Sequence, residues 1–117
     1  MRVGVLFSGG KDSTFSAYIA TLFGWDVCCL LSLKSKNPSS FMFHTPNIDL
    51  VAYQAEAMQI PLLRQETKGE KERELSDLKK LLKKAKQTYK LDGIVVGALY
   101  SDYQQERVNR VCYELRL

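Results

Sequence analysis

The sequence predicts an α/β fold in which helices cover both faces of a parallel sheet. Short, nearly continuous apolar runs, typical of strands buried on both faces, alternate with longer segments of helical apolar spacing. This alternation indicates βαβ units with right-handed crossovers. A length of 117 residues suits a single hydrophobic core. We therefore expect residues 1–117 to form one domain.

The first half of the chain predicts a strand, a loop, a helix and a second strand. Residues 2–7 and 25–33 are the two apolar runs. Between them we expect a helix from Asp12 onward, with Gly24 at its C-terminal end. Its apolar face is assigned to the large side chains Phe15, Tyr18, Ile19, Leu22 and Phe23. Residues 34–40 are polar and rich in turn formers, which favours a loop.

The second half repeats the alternation. Thr45-Pro46 is typical of a helix start, and the predicted helix carries Leu50, Ala52, Tyr53, Ala57 and Met58. A third strand is expected at residues 61–66, a long helix at 70–89, and a β-branched fourth strand at 94–98. Ser101 and Gln104 fit a capping box. The helix that this box opens carries Val108, Val111, Cys112 and Leu115.

Charge and hydropathy argue against nucleic-acid binding, metal binding by the cysteines and membrane association. The net charge is +4, and residues 68–90 hold nine Lys or Arg against four Asp or Glu, which could attract nucleic acid. Leucines at spacings of three and four form one stripe there, so we favour a solvent-exposed helix face and no direct nucleic-acid binding. Cys28, Cys29 and Cys112 lack metal-ligand spacing and predict reduced, buried thiols. Without a membrane-length apolar run or a targeting peptide, we expect a cytoplasmic protein with no membrane partner.

The segment Ser8-Gly9-Gly10-Lys11-Asp12-Ser13 predicts an anion-binding loop between the first strand and the first helix. Adjacent glycines let the backbone approach an oxyanion, and the helix N-terminus adds unpaired N–H groups. A Walker loop is excluded because Asp12 follows Lys11, and the dinucleotide fingerprint fails because Gly9 and Gly10 are adjacent. Asp12 would repel a phosphate unless it caps the helix or holds magnesium. A glycine-rich turn without a ligand is the alternative.

The same six residues resemble the pyrophosphate loop of the N-type ATP pyrophosphatases, which cleave ATP between its α and β phosphates. Further segments are similar to the diphthine–ammonia ligase family, archaeal-type members especially. These segments are residues 43–47, 54–57, 60–62, 67–72 and 97–108. The likeness spans nearly the whole chain, and the 97–108 segment is far more specific than the loop alone.

This resemblance implies an adenine nucleotide alpha hydrolase-like sheet with strand order 3-2-1-4-5. Strands 1 and 4 would then lie side by side at the topological switch point, where ligands of such sheets bind. Residues 8–13 and 97–103 would converge on one crevice. The fifth strand is expected beyond Leu117, so the resemblance implies an ATP-binding domain shortened at its C-terminus.

The resemblance also implies an ATP-dependent, AMP-forming ligase. The diphthine carboxylate of elongation factor 2 would attack the ATP α-phosphate, pyrophosphate would leave, and ammonia would convert the acyl-adenylate to an amide. Lys11 and Asp12 would be catalytic, with Asp12 also holding magnesium. Nucleotide contacts would come from Ser8, Gly9, Gly10, Lys11, Asp12, Ser13, His44, Gly97 and Ala98. Substrate contacts would come from Ser101, Tyr103, Gln104 and Arg107.

Several assignments have simpler alternatives. The capping box accounts equally well for Ser101 and Gln104. For Arg107 the alternative is an ordinary surface arginine, and for His44 it is a residue that packs within its loop. A tRNA-modifying pyrophosphate-loop enzyme, or a non-catalytic module that binds ATP or AMP, would share the loop. The resemblance also leaves a homodimer open.

Overall fold

Strands and helices alternate along the chain as the sequence predicts. The computed structural model describes residues 1–6, 11–35, 51–67, 71–96 and 102–117. Within these ranges the strands are β1 (Arg2–Leu6), β2 (Asp26–Ser35), β3 (Leu62–Thr67) and β4 (Gly93–Val96). The helices are α1 (Lys11–Leu22), α2 (Val51–Met58), α3 (Lys71–Tyr89) and α4 (Asp102–Leu115).

The strands form one parallel sheet in the order β3-β2-β1-β4. β1 lies between β2 and β4, with Leu6 opposite Leu31 on one side and opposite Val96 on the other. The α/β fold class and the predicted order of strands 1 to 4 are confirmed. The expected fifth strand has no counterpart in the described ranges. Because the strands are parallel, their carboxyl ends share one edge of the sheet, here called the carboxyl edge.

Each face of the sheet carries its own half of the core. α1 and α2 cover one face, where Ala17 and Ala55 pack with Val5 and Leu30. The leucines of α3 and the valines of α4 cover the other face, in a cluster with Leu6. The chain changes face at the β3–α3–β4 crossover because a right-handed connection demands it when the strand order reverses.

α1 packs against the sheet through small residues, so the face predicted for it is wrong. Ala17 and Ala20 are buried on the sheet side, where a short side chain lets the helix axis come close to the strands. Four of the five side chains predicted to be core are exposed instead: Phe15 62%, Tyr18 58%, Leu22 63% and Phe23 69%. The fifth, Ile19, is half-buried.

The buried residues of α2 are Val51 and Ala55, whereas Tyr53 is 72% exposed. The predicted start of this helix at Thr45-Pro46 lies outside the described residues.

The two helices on the opposite face match their predictions. Leu78, Leu81, Leu82 and Ala85 of α3 are buried, and the intervening lysines are exposed. Val108 and Val111 of α4 are buried as well. In the part of the chain that the structure describes, no helix is both long and apolar enough to cross a bilayer.

All four helices end in a residue with left-handed backbone. At the end of α1, Gly24 has φ 78°, its N–H donates to the Thr21 carbonyl and the Trp25 N–H to that of Ala20. This is the Schellman arrangement predicted for Gly24. The other three helices reach a positive φ without glycine, at Gln59 (59°), Lys90 (54°) and Arg116 (58°).

The edge opposite the carboxyl edge is tied together by Arg2. Its backbone N–H donates to Asp92 Oδ2 at 2.8 Å and its Nε to the Tyr89 carbonyl at 3.0 Å. One guanidinium nitrogen lies 3.2 Å from Asp26 Oδ2. A single side chain thereby links the starts of β1 and β2 to the turn that precedes β4.

Gly4 of β1 lies where the core approaches the backbone most closely. A Cβ built there would lie 3.0 Å from Leu91 Cδ1 and 3.2 Å from both Cys29 Sγ and Leu31 Cδ1. By contrast, a Cβ on Gly93 would meet only Met1 Cε, at 3.5 Å.

We therefore expect Gly4→Ala to lower the free energy of unfolding by about 1–3 kcal/mol through overpacking. Gly93→Ala, the matched control, should change it by less than about 0.5 kcal/mol. Urea denaturation followed by circular dichroism measures both. Equal effects from the two substitutions would contradict the packing described around Gly4.

Candidate functional site

Two chain connections leave the carboxyl edge side by side. β1 ends at Leu6 and α1 begins at Lys11, while β4 ends at Val96 and α4 begins at Asp102. Leu6 and Val96 are register partners in adjacent strands. The connection after β1 leads to one face of the sheet and that after β4 to the other, so a crevice opens between them.

This crevice lies at the topological switch point of the sheet. The chain runs outward from β1 to β2 and β3, then returns to place β4 on the other side of β1. In open parallel sheets, ligands bind outside the carboxyl ends of the strands at such a point. The predicted adjacency of strands 1 and 4 is thus confirmed, and it brings the starts of the two most distinctive sequence segments together.

The part of the predicted loop that belongs to α1 lies at the carboxyl edge. Lys11, Asp12 and Ser13 form the first turn of α1, where backbone N–H groups have no acceptor within the helix. The positive end of the helix dipole therefore lies at the carboxyl edge. The other predicted nucleotide contacts lie outside the described residues: Ser8, Gly9, Gly10, His44, Gly97 and Ala98.

The predicted substrate contacts belong to the start of α4. The helix begins at Asp102, so Tyr103 and Gln104 fall in its first turn, and Ser101 lies outside the described residues. Arg107, one turn further on, is half-buried and has an interaction partner already.

The sequence interpretation missed Ser32 of β2. Ser32 is 1% exposed, and its Oγ has no hydrogen-bond partner among the described residues. It follows Leu31, the register partner of Leu6, so it lies near the carboxyl edge. Because residues two apart in a strand share a face, it lies on the same side of the sheet as Leu30, which is the α1 side. A buried hydroxyl without a hydrogen-bond partner is unfavourable. A single polar residue in an apolar run was the signal.

Comparison with known proteins identifies the family. The family described as diphthamide synthase N-terminal domain matches residues 1–117. The chain belongs to the diphthamide synthase family. The diphthine–ammonia ligase of Danio rerio is 38% identical over 134 residues, which cover 100% of this chain and 52% of the relative. The Bos taurus ligase is 35% identical over 135 residues, covering 100% and 51%.

Membership of the diphthamide synthase family confirms the resemblance found in the sequence. The chain spans about half the length of these vertebrate relatives. It matches a smaller share, 20%, of the Saccharomyces cerevisiae diphthine–ammonia ligase, at 29% identity over 135 residues. In each case the whole of this chain is aligned.

The cysteines of this diphthamide synthase domain lie in environments unlike those of reactive thiols. Burial raises the pKa of Cys29 from 9.0 to about 12 and also raises the pKa of Cys112. Burial and the nearby Asp26 charge raise the pKa of Cys28, which is only half-buried. Within the described ranges, no three His, Cys, Asp or Glu side chains cluster as metal ligands would. These thiols favour a structural role.

Replacing Ser32 tests whether its hydroxyl has a protein partner. We expect Ser32→Ala to leave the free energy of unfolding unchanged or to raise it by up to about 1 kcal/mol, since an unpaired buried group is removed. Leu30→Ala, on the same strand, should lower it by about 2–5 kcal/mol. Chemical denaturation measures both, and a large loss with Ser32→Ala would reveal a partner that the hydroxyl already has.

Cys29 predicts a loss of stability at high pH. Between pH 9.0 and about 12 the folded chain retains the Cys29 proton, whereas the unfolded thiol loses it. The contribution of Cys29 to the free energy of unfolding therefore falls as the pH rises through that window. At about pH 10 the loss relative to neutral pH is about 1.4 kcal/mol. Denaturation of wild type and Cys29→Ala at both pH values isolates it. An identical decrease in the two proteins would contradict the assignment.

Proposed function

We propose that this chain supplies the ATP-activating part of a diphthine–ammonia ligase. In this reaction the diphthine carboxylate of elongation factor 2 attacks the ATP α-phosphate, forming an acyl-adenylate and releasing pyrophosphate. Ammonia then attacks the acyl carbon, giving the amide and AMP. Family membership and the relatives' names support the reaction class. The observation that carries the proposal is the pairing of Leu6 with Val96. Because of this pairing, the segments 8–13 and 97–108 both follow strands that end at one crevice.

The first turn of α1 and the loop before it would hold the leaving pyrophosphate. Unpaired N–H groups at Lys11, Asp12 and Ser13 favour an anion at the helix N-terminus. The Lys11 ammonium would balance the charge that grows on pyrophosphate in the transition state. Ser8, Gly9 and Gly10 would bring hydroxyl and backbone donors close to the same phosphates. The chain's contribution is positioning and charge stabilisation rather than covalent chemistry.

Asp12 is the residue proposed to hold magnesium. Carboxylate oxygens are ligands that magnesium prefers, and magnesium sites usually combine one or two carboxylates with substrate phosphates. Asp12 lies in the first turn of α1, at the edge where the phosphates would bind. When bound, the ion would neutralise charge on the phosphates.

The opposite wall of the crevice would hold adenosine and the acceptor. Gly97 and Ala98 directly follow β4, and small residues there let a nucleotide pack against the backbone. His44 is proposed to contact adenine. Ser32 would donate its unpaired hydroxyl into the same crevice. The acceptor carboxylate would lie near the start of α4, whose proposed contacts are Ser101, Tyr103, Gln104 and Arg107.

A nucleotide-binding module is the second candidate. It is supported by the N-terminus of α1 at the carboxyl edge, which can hold an anion whether or not ATP is cleaved. Release of pyrophosphate distinguishes the two candidates, since a binding module holds ATP without cleaving it. In either case we expect the cytoplasm as the compartment, where ATP and elongation factor 2 meet.

Lys11→Ala tests the proposed function. The protein is incubated with α-labelled ATP, magnesium, ammonium and diphthine-bearing elongation factor 2, and acceptor-dependent AMP is measured. We expect Lys11→Ala to reduce AMP formation by about 100-fold or more, because a charge aimed at the leaving group is lost. Lys84→Ala, an exposed lysine of α3, is the control with the same charge change and should retain full activity.

The products separate the outcomes. Formation of ADP, or a requirement for tRNA, would refute the ligase reaction. Tight binding of ATP with no pyrophosphate release would select the binding module, and Lys11→Ala should then weaken ATP affinity instead. Full activity of Lys11→Ala would overturn the loop assignment. Ser32→Ala, which is expected to fold normally, should weaken ATP binding severalfold if its hydroxyl contacts the ligand.

A further inference from the structure

The position of α4 depends mainly on its packing against α3. Among the described strands and helices, α3 is the one that α4 contacts most extensively. Val108 and Val111 of α4 are buried in the cluster that the leucines of α3 build. Apolar contacts of this kind are not directional, so they hold two helices together without fixing how one slides along the other. Directional bonds are needed to set the position of α4 along its axis.

Two lysines of α3 make such bonds with the last turn of α4. Lys86 Nζ donates a hydrogen bond to the Leu115 carbonyl. Lys79 Nζ donates to Glu114 Oε2 at 2.8 Å. Positions 79 and 86 lie on the same side of α3, roughly 10 Å apart along its axis, so the two bonds fix both the place and the tilt of the end of α4. We call Lys79, Lys86, Glu114 and the Leu115 carbonyl the α3–α4 clamp.

Lys86 is the more specific half of the α3–α4 clamp. The Leu115 carbonyl is one of the last carbonyls of α4, which have no N–H partner within the helix. Its hydrogen bond from Lys86 is part-buried, and the Lys86 charge lies at the negative end of the α4 dipole. By contrast, the Lys79 and Glu114 side chains are 48% and 38% exposed, so solvent screens their ion pair. Glu114 also pairs with Arg110 of α4 itself, at 3.5 Å.

We propose that Lys86 is a positioning residue for the acceptor substrate. α4 starts at the carboxyl edge and ends at the α3–α4 clamp, and its 14 residues form a stiff rod about 21 Å long. Such a rod carries a displacement at one end to the other, so the bond to Leu115 sets where Tyr103, Gln104 and Arg107 lie at the crevice. The inference rests on the proposed function, which assigns those three residues to the acceptor.

The proposed pyrophosphate contacts do not depend on Lys86. Lys11, Asp12 and Ser13 belong to α1, which packs on the other face of the sheet through Ala17. β4, which leads to the adenosine side of the crevice, is held by its pairing with β1. Loss of the Lys86 bond should therefore weaken acceptor binding and leave ATP binding unchanged.

Steady-state kinetics of acceptor-dependent AMP formation by the 117-residue chain tests the proposal. Lys86→Met keeps the length of the side chain and removes the donor. We expect it to raise the KM for diphthine-bearing elongation factor 2 at least about fivefold, while the KM for ATP changes by less than about twofold. Lys86→Arg should recover most of the loss, because a guanidinium also donates to a carbonyl. Lys84→Met, at an exposed lysine of the same helix, is the control and should retain the wild-type KM.

A merely structural role for Lys86 gives a different result. Lys86→Met would then lower the fraction of folded protein and with it kcat, while both KM values stay as in the wild type. That result overturns the proposal. So does a rise in the KM for elongation factor 2 that Lys84→Met reproduces, or one that Lys86→Arg leaves uncorrected.

Hydrogen exchange tests the α3–α4 clamp without any catalysis. We expect Lys86→Met to speed amide exchange in residues 106–115 at least about tenfold and to leave exchange in α1 unchanged, whereas Lys84→Met alters neither. Unchanged exchange in α4 overturns the proposal. A wild-type chain that forms no AMP counts against the proposed function instead, and exchange in α4 then decides by itself whether Lys86 holds the helix.

Discussion

Pairing between β1 and β4 is the constraint on which the rest of the carboxyl edge depends. β1 has a partner strand on each side and precedes the 8–13 segment, and its partner β4 arrives through the long α3 crossover. Because this crossover places β4 beside β1 and α4 on the face opposite α1, two segments 90 residues apart in sequence start next to each other. If that pairing slipped, the helix N-terminus and the 97–108 segment would no longer share one crevice.

The packing around β1 explains how the pairing is held. Gly4 allows Leu31, Cys29 and Leu91 to close over the strand at van der Waals distance. At the amino edge, Arg2 links β1 to Asp26 and to Asp92. The strand is thus confined along its length by apolar contacts and at its start by charged ones, while its carboxyl end is left to the loop.

The sequence predicted the fold class and the adjacency of strands 1 and 4 correctly, and the helix faces unevenly. α3 was assigned correctly because its lysines and leucines contrast sharply, so only one face could be buried. α1 was assigned wrongly because residues 14–24 carry no charge, and large side chains were given preference over Ala17 and Ala20. β2 runs to Ser35, past the predicted end at residue 33, because strand pairing with Glu66 and Thr67 satisfies the backbone whatever the side chains are. Ser32 was missed because burial of a hydroxyl depends on neighbours that are remote in sequence.

The left-handed residues that end the helices have a consequence for how such a domain can diverge. Each helix starts at the carboxyl edge and runs back, so Gln59, Lys90 and Arg116 lie at the far end of the molecule from the crevice. A non-glycine residue in this conformation is strained by about 1 kcal/mol. Exchange with glycine at these three turns therefore changes the stability of the helix ends while the carboxyl edge is left unchanged. Stability and the residues of the carboxyl edge can vary independently in this architecture, because they lie at opposite ends of the same helices.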